Sequence, residues 1–269
     1  MREADDYLAE VHALSALLDG RADALDLVTQ FKGWTIADVI GHLHMFDVAA
    51  RLSLEDALGR SDGAFPTFFA PVGEAMANGR GMMGAQMDWL AEQDLNGNAL
   101  VDRWGAEAER LAALFRETDP KARVAWAGPS MSARSSVTAR QMEVWAHGHE
   151  VFDRLGVVRK DADRIRNIAH MGVATFGWTF QNRGEDAGDR PTVRLTAPSG
   201  ALWEWEGSDE RVEGSATGFC ETVTQTRNVA DTDVRTTGET AARWMDVAQC
   251  FAGPAVDPPK PGERCIQLN

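Results

Sequence analysis

The chain has 269 residues, enough for one large or two modest domains with a sizeable buried core. Hydrophobic residues make up 44% and charged residues 25%, which excludes disorder as the default. A formal net charge of −14 argues against a nucleic-acid or anionic-membrane surface, because both select clustered Lys and Arg.

The N-terminal stretch MREADDYLAE is acidic and carries no apolar signal core, and no run approaches the roughly 18 apolar residues of a membrane helix. The three cysteines, Cys220, Cys250 and Cys265, form no CxxC pair, so the expectation is a cytoplasmic protein in a reducing compartment. Leu8, Val11, Leu14, Leu17 and Leu18 fall at helical spacing and predict a first helix over 3–28. After Phe31-Lys-Gly-Trp34, Thr35 with Asp38 three positions on reads as a capping box opening a second helix to about residue 58. Residues 60–84, rich in Gly, Pro and Phe, read as an irregular connection. Their glycines make no phosphate loop, since no Gly-Lys-Ser/Thr follows. Helices are predicted at 85–94 and 98–118, a loop containing Trp126-Ala-Gly-Pro129 at 119–133, and helices at 132–155 and 160–182.

Arg183-Gly-Glu-Asp-Ala-Gly-Asp189 reads as a linker, after which the period changes. Thr192–Thr196 and Leu202–Glu206 alternate apolar and polar residues as half-buried strands do, with Pro198-Ser-Gly200 between them as hairpin chemistry. A third strand near 211–213 and helices at 216–227 and 238–251 complete the pattern. The tail from Gly253 carries four prolines and predicts no regular element. The expected organisation is mainly α: a helical domain over 1–183, a small α+β domain over 190–253, and an extended tail over 254–269.

Four of the six histidines form two tight pairs, His42-x-His44 and His147-x-His149. Positions two apart on a helix point to different sides, so each pair offers one residue to any shared site. Arg140, Glu143, His147 and Glu150 form a polar stripe at three- and four-residue steps, placing a carboxylate and an imidazole one turn apart. That spacing suits a single divalent ion, with a third ligand from a neighbouring helix leaving open positions for chemistry. The same stripe also describes a solvated helix face. Met142, Trp145, His149 and Phe152 form a largely apolar stripe, on which His149 reads most simply as a packed histidine. His12 and His170 have no evident partner.

Stretches in three parts of the chain resemble a known family. Trp34-Thr-Ile-Ala-Asp-Val-Ile-Gly-His42-Leu43 is similar to the opening of the second helix in DinB-like bundles. Arg140-Gln-Met-Glu143-Val-Trp-Ala-His147-Gly-His-Glu150 resembles the Arg-x-x-Glu-x-x-x-His-x-x-Asp helix of the mycothiol-dependent maleylpyruvate isomerase family. Thr224–Asp231, which includes Arg227, and Trp244–Gly253 resemble that family's C-terminal domain. The resemblance implies a DinB-like four-helix bundle followed by a small α+β domain. It also implies a metal held by His42, Glu143 and His147, zinc first with nickel, iron or manganese as alternatives, and a low-molecular-weight thiol as cofactor.

Glu150 stands where the family has aspartate, one methylene shorter, and His149 before it is a further departure. On this reading Glu150 and Arg227 bind the thiol or substrate, and Glu150, His149 and Arg227 act in catalysis. The expected function is a thiol-dependent transferase or isomerase acting on a small electrophilic, unsaturated and carboxylated substrate. The alternatives are a thiol-independent metal hydrolase, hydratase or lyase, and a non-catalytic metal-stabilised module. The expected partner is a small molecule, with no nucleic acid and no membrane, in a monomer or homodimer.

Overall fold

A computed structural model describes residues 1–126, 128 and 130–267. Of the expected loop Trp126–Pro129, residues 127 and 129 lie outside the described residues, as do 268 and 269 of the tail. The chain divides into two compact units, Met1–Gly148 and His149–Asn269, and the division falls inside one helix.

The first unit is a helical bundle. Helix α1 (Arg2–Leu18) is shorter than expected: Asp19 leaves helical geometry and a 3-10 turn over Ala22–Ala24 follows. Helix α2 (Ile36–Ala57) starts as its capping box dictates, with Thr35 Oγ1 accepting from Asp38 N at 3.0 Å and Asp38 Oδ2 accepting from Thr35 N at 2.9 Å. Helix α5 (Gly97–Glu117) packs on α1 and α2, and α6 (Ala133–Arg154) brings Val137, Val144 and Trp145 into the core. A two-stranded antiparallel ribbon, β1 (Arg123–Val124) with β2 (Met131–Ser132), precedes α6.

The irregular connection expected at 60–84 is instead two helices, α3 (Ala64–Ala77) and α4 (Gly81–Glu92), packed against each other and on α2. Two devices explain the difference, and neither is local in sequence. Asp56, from the end of α2, accepts hydrogen bonds from Ala64 N and Phe65 N at 3.0 and 2.9 Å, capping a helix whose own N-terminus offers no polar side chain. The helix also keeps Pro71 inside it, a cost set against burial of Phe65, Val72 and Ala75. Helix α4 is anchored by Gln86, fully buried, whose Nε2 donates to Asp38 O at 2.8 Å. The approach is so close that a Cβ on Gly41 would lie 2.6 Å from Leu90 Cδ1.

The second unit holds a four-stranded sheet in the order β4-β3-β5-β6. Strands β3 (Pro191–Thr196) and β4 (Leu202–Trp205) form the expected hairpin, with Leu195 opposite Trp203. Strand β5 (Ser208–Ser215) crosses to the far side of β3 and runs parallel to it, and β6 (Arg235–Thr237), which the sequence did not signal, pairs antiparallel with β5. The helix expected at 160–182 is broken into α7 (Arg166–Ala174) and α8 (Phe176–Arg183) after a 3-10 turn. These helices bury against α9 (Ala216–Val223) and α10 (Glu239–Val247). Trp244 meets Phe176 and Phe219 edge-on, and a Cβ on Gly172 would lie 2.8 Å from Val223. That burial puts α7 and α8 in the unit that contains the sheet, so the division lies well before the 183–189 segment. Past Gly253 the described residues form no helix or strand, yet they are fastened: Gln225 Nε2 donates to Val256 O, Asn228 Nδ2 to Pro259 O, and Gln267 N to Asp153 O, all at 2.8–2.9 Å.

Candidate metal centre

Within the first unit, α2 supplies His42 and the first part of α6 supplies Glu143 and His147. One ligand-type atom of each lies within 4.8 Å of those of the other two. Both imidazole Nε2 atoms face the same carboxylate oxygen, Glu143 Oε2, at 3.5 Å for His42 and 3.3 Å for His147. The polar stripe of α6 is therefore not a solvated face: Arg140 is 1% exposed and Glu150 2% exposed. His42 is buried too, while a quarter of the Glu143 side chain is open.

The electrostatics favour a cation. Burial pushes His42 down to about 4, only partly opposed by the carboxylate across from it. Burial alone would raise the Glu143 carboxyl, but the two imidazoles facing it hold it well below the usual carboxylate range. A neutral ring facing an ionised carboxylate is the protonation state in which these groups ligate metal. Two imidazole nitrogens and a carboxylate oxygen fit a divalent ion at about 2.0–2.2 Å from each, with coordination positions left over. Two imidazoles and one carboxylate suit zinc, nickel or iron, and manganese, which favours oxygen donors, less well.

Aromatic rings that sequence reading left without a role wall this corner. Trp34 stacks on His147 with centroids 5.7 Å apart and planes within 8°, and Phe31 meets the same ring edge-on at 5.1 Å. Phe46 lies 4.6 Å from His42. Phe31 and Trp34 reach one imidazole because Lys32 and Gly33 between them both have positive φ, 53° and 72°, with Trp34 N bonded to Phe31 O at 2.9 Å. A two-residue hairpin turn needs that backbone.

Beneath the corner lies a buried ionic network that the sequence reading also passed over. Arg140 Nε donates to Asp47 Oδ1 at 2.8 Å, and Arg140 Nη2 to Leu43 O at 3.2 Å. Trp104 Nε1 donates to Asp47 Oδ2 at 2.9 Å. Asp47 is fully buried. The guanidinium thus fastens α6, one turn before Glu143, to α2, one residue after His42. The available signal was an aspartate within the apolar run Met45-Phe-Asp-Val-Ala-Ala50.

The other histidines part company. His44 is 2% exposed with its ring 5.0 Å from Trp89, and burial followed by the Arg103 and Arg51 charges brings it to about 4. His12 pairs with Glu109 at 2.9 Å, and His170 Nδ1 accepts from Trp205 Nε1 at 3.1 Å. In the second unit His149 Nε2 lies 3.5 Å from Glu221, Arg264 Nη1 is 3.4 Å from Glu150, and Arg227 Nη2 donates to Asp153 at 2.7 Å. Arg227 is therefore held by a carboxylate of its own unit.

A helical bundle in which two helices bring His42, Glu143 and His147 together is the arrangement that the resemblance to DinB-like bundles implied. A family model described as the mycothiol maleylpyruvate isomerase N-terminal domain matches residues 7–152, and the chain belongs to this family. Two Mycobacterium tuberculosis proteins, both described as uncharacterised, one from strain CDC 1551 / Oshkosh and one from ATCC 25618 / H37Rv, are each 38% identical over 262 residues. Each match covers 94% of this chain and 98% of the relative. Crystal structures of the mycothiol-dependent maleylpyruvate isomerase and of a histidine-to-alanine mutant share the fold at a TM-score of 0.51 and 19% identity. They cover 87% of this chain and 92% of theirs. Among the described residues no helix is long and apolar enough to cross a membrane.

Proposed function

We propose that this chain is a metal-dependent enzyme that uses a low-molecular-weight thiol, mycothiol by family, to isomerise or transfer onto a small unsaturated carboxylated substrate. The observation that carries the reading is the convergence of His42, Glu143 and His147, from two helices, in a corner walled by Phe31, Trp34 and Phe46. These three residues would hold the ion. When bound, the ion supplies the Lewis acidity that keeps a thiol ionised at neutral pH, and the thiol supplies a nucleophile for an electron-poor double bond.

The chain does the rest. Glu143, ionised between two imidazoles, sets the charge of the site, and the Trp34 and Phe31 rings fix the plane of His147 while keeping water from its faces. Arg140 holds the two helices in register. To Glu150, His149 and Arg227 we assign thiol orientation, proton transfer and carboxylate recognition. The support is that Glu150 occupies the position of the family's aspartate and Arg227 lies in a stretch that resembles the family's C-terminal domain, while His149, which departs from the family pattern, is an imidazole next to Glu150 in the chain.

The test is turnover of maleylpyruvate by metal-loaded protein with mycothiol, with glutathione, and with neither. The reading expects mycothiol-dependent isomerisation that Glu143→Ala abolishes. Equal turnover without thiol would overturn the thiol and leave a metal hydrolase or lyase.

A further inference from the structure

Between α3 and α4 lies a cavity of about 200 Å³ that includes none of the three converging residues. Its floor is Met45, Val72, Ala75 and Ala85, all buried and all apolar. Two of its lining rings, Phe68 and Trp89, stand 5.7 Å apart at 87°, an aromatic corner. Its rim is acidic: Glu74, Asp88 and Glu92 against the single guanidinium of Arg80. That guanidinium is already committed, with Nη1 and Nη2 donating to the two oxygens of Asp88 at 2.7 and 2.9 Å. Glu74 and Glu92 form no ion pair among the described residues, so the rim carries an uncompensated negative charge.

Each feature selects against a class of ligand. The rim carboxylates are not gathered within ligating distance of one another, and the apolar floor beneath them adds no oxygen to replace the water of an inorganic cation. A rim of carboxylates repels anions, and the one cation present has its donors turned to Asp88. What remains is an organic cation with an apolar shell, whose charge spreads over methyl groups. Such a head lies against the negative face of aromatic rings, tolerates a dry floor and is drawn in by carboxylates. We propose that the α3–α4 cavity is a binding site for a methylated ammonium ligand, separate from the metal centre and independent of it.

The probe is benzyltrimethylammonium, titrated into the full-length protein by calorimetry at low and at physiological salt. Choline against 3,3-dimethylbutan-1-ol serves as a pair differing in charge but not in shape. The expected result is saturable binding at about 1 mM or tighter, with choline bound and its neutral counterpart not. Trp89→Leu should weaken binding about fivefold or more. The rim variant E74Q/E92Q, which alters only exposed side chains, should weaken it comparably and flatten the salt dependence. His147→Ala should bind as the parent does, whether or not the metal reading above survives. Absence of saturation, equal binding of choline and the alcohol, or parent-like binding by E74Q/E92Q would overturn the proposal. Loss of binding in His147→Ala would move the cation to the metal centre and overturn it equally.

Discussion

Removing Arg140 separates two consequences that its position joins. In Arg140→Met the Asp47 carboxylate stays fully buried, with the Trp104 indole N–H donating to it and the Tyr7 side chain beside it, a buried charge stripped of its counter-ion. Breaking such a pair costs about 3–5 kcal/mol, a large part of the roughly 5–15 kcal/mol that holds a domain together. Exchanging both partners, Arg140→Met with Asp47→Asn, removes the charge, keeps an oxygen for Trp104, and should return most of that stability. Metal affinity should not return with it. The bond from Arg140 to Leu43 O is what fixes the residue next to His42 against α6, and loss of such support weakens metal binding about 10–100-fold. Urea unfolding of metal-stripped protein reads the first quantity, and competition with a chromophoric chelator the second. A double variant that recovers stability and parent-like affinity together would refute the claim that Arg140 sets the register. So would a single variant within about 1 kcal/mol of the parent.

Acid should destabilise the metal-free protein over a defined window. His42 and His44 are held from 6.5 down to about 4, chiefly by burial, so below 6.5 the unfolded chain binds protons that the folded one refuses. Stability should therefore be flat above pH 6.5 and fall between 6.5 and 4, by at most about 3 kcal/mol for each histidine. Denaturation against pH checks this, and His44→Phe should remove roughly half the slope. Asp56→Ala should free the start of α3 and cost about 1–2 kcal/mol, seen as faster amide exchange at Ala64 and Phe65 while α1 and α5 keep their protection.

The parts of the fold that sequence announced are those fixed by neighbours in the chain. The Thr35–Asp38 box and the alternation of Thr192–Thr196 are local signals, and each element formed where it was expected. Helix α3 was hidden because its cap arrives from Asp56 and its proline and glycines mimic a loop. The position of α7 and α8 was hidden because only the packing of Phe176 on Trp244 decides which unit owns them. At the site, helical spacing put Glu143 and His147 on one face. The family resemblance selected His42 over His44 and His147 over His149, and the selected rings are those that face Glu143. The Trp34 stack and the Arg140–Asp47 bond join residues far apart in sequence, and no periodicity reports such contacts.

The most direct measurement is elemental analysis of protein purified without added metal, beside Glu143→Ala and His147→Ala prepared identically and checked for intact folding. About one equivalent of a divalent metal per parent chain, falling below about a tenth in both variants, is the predicted result. Folded variants that retain as much metal as the parent would contradict the assignment of His42, Glu143 and His147 to one ion.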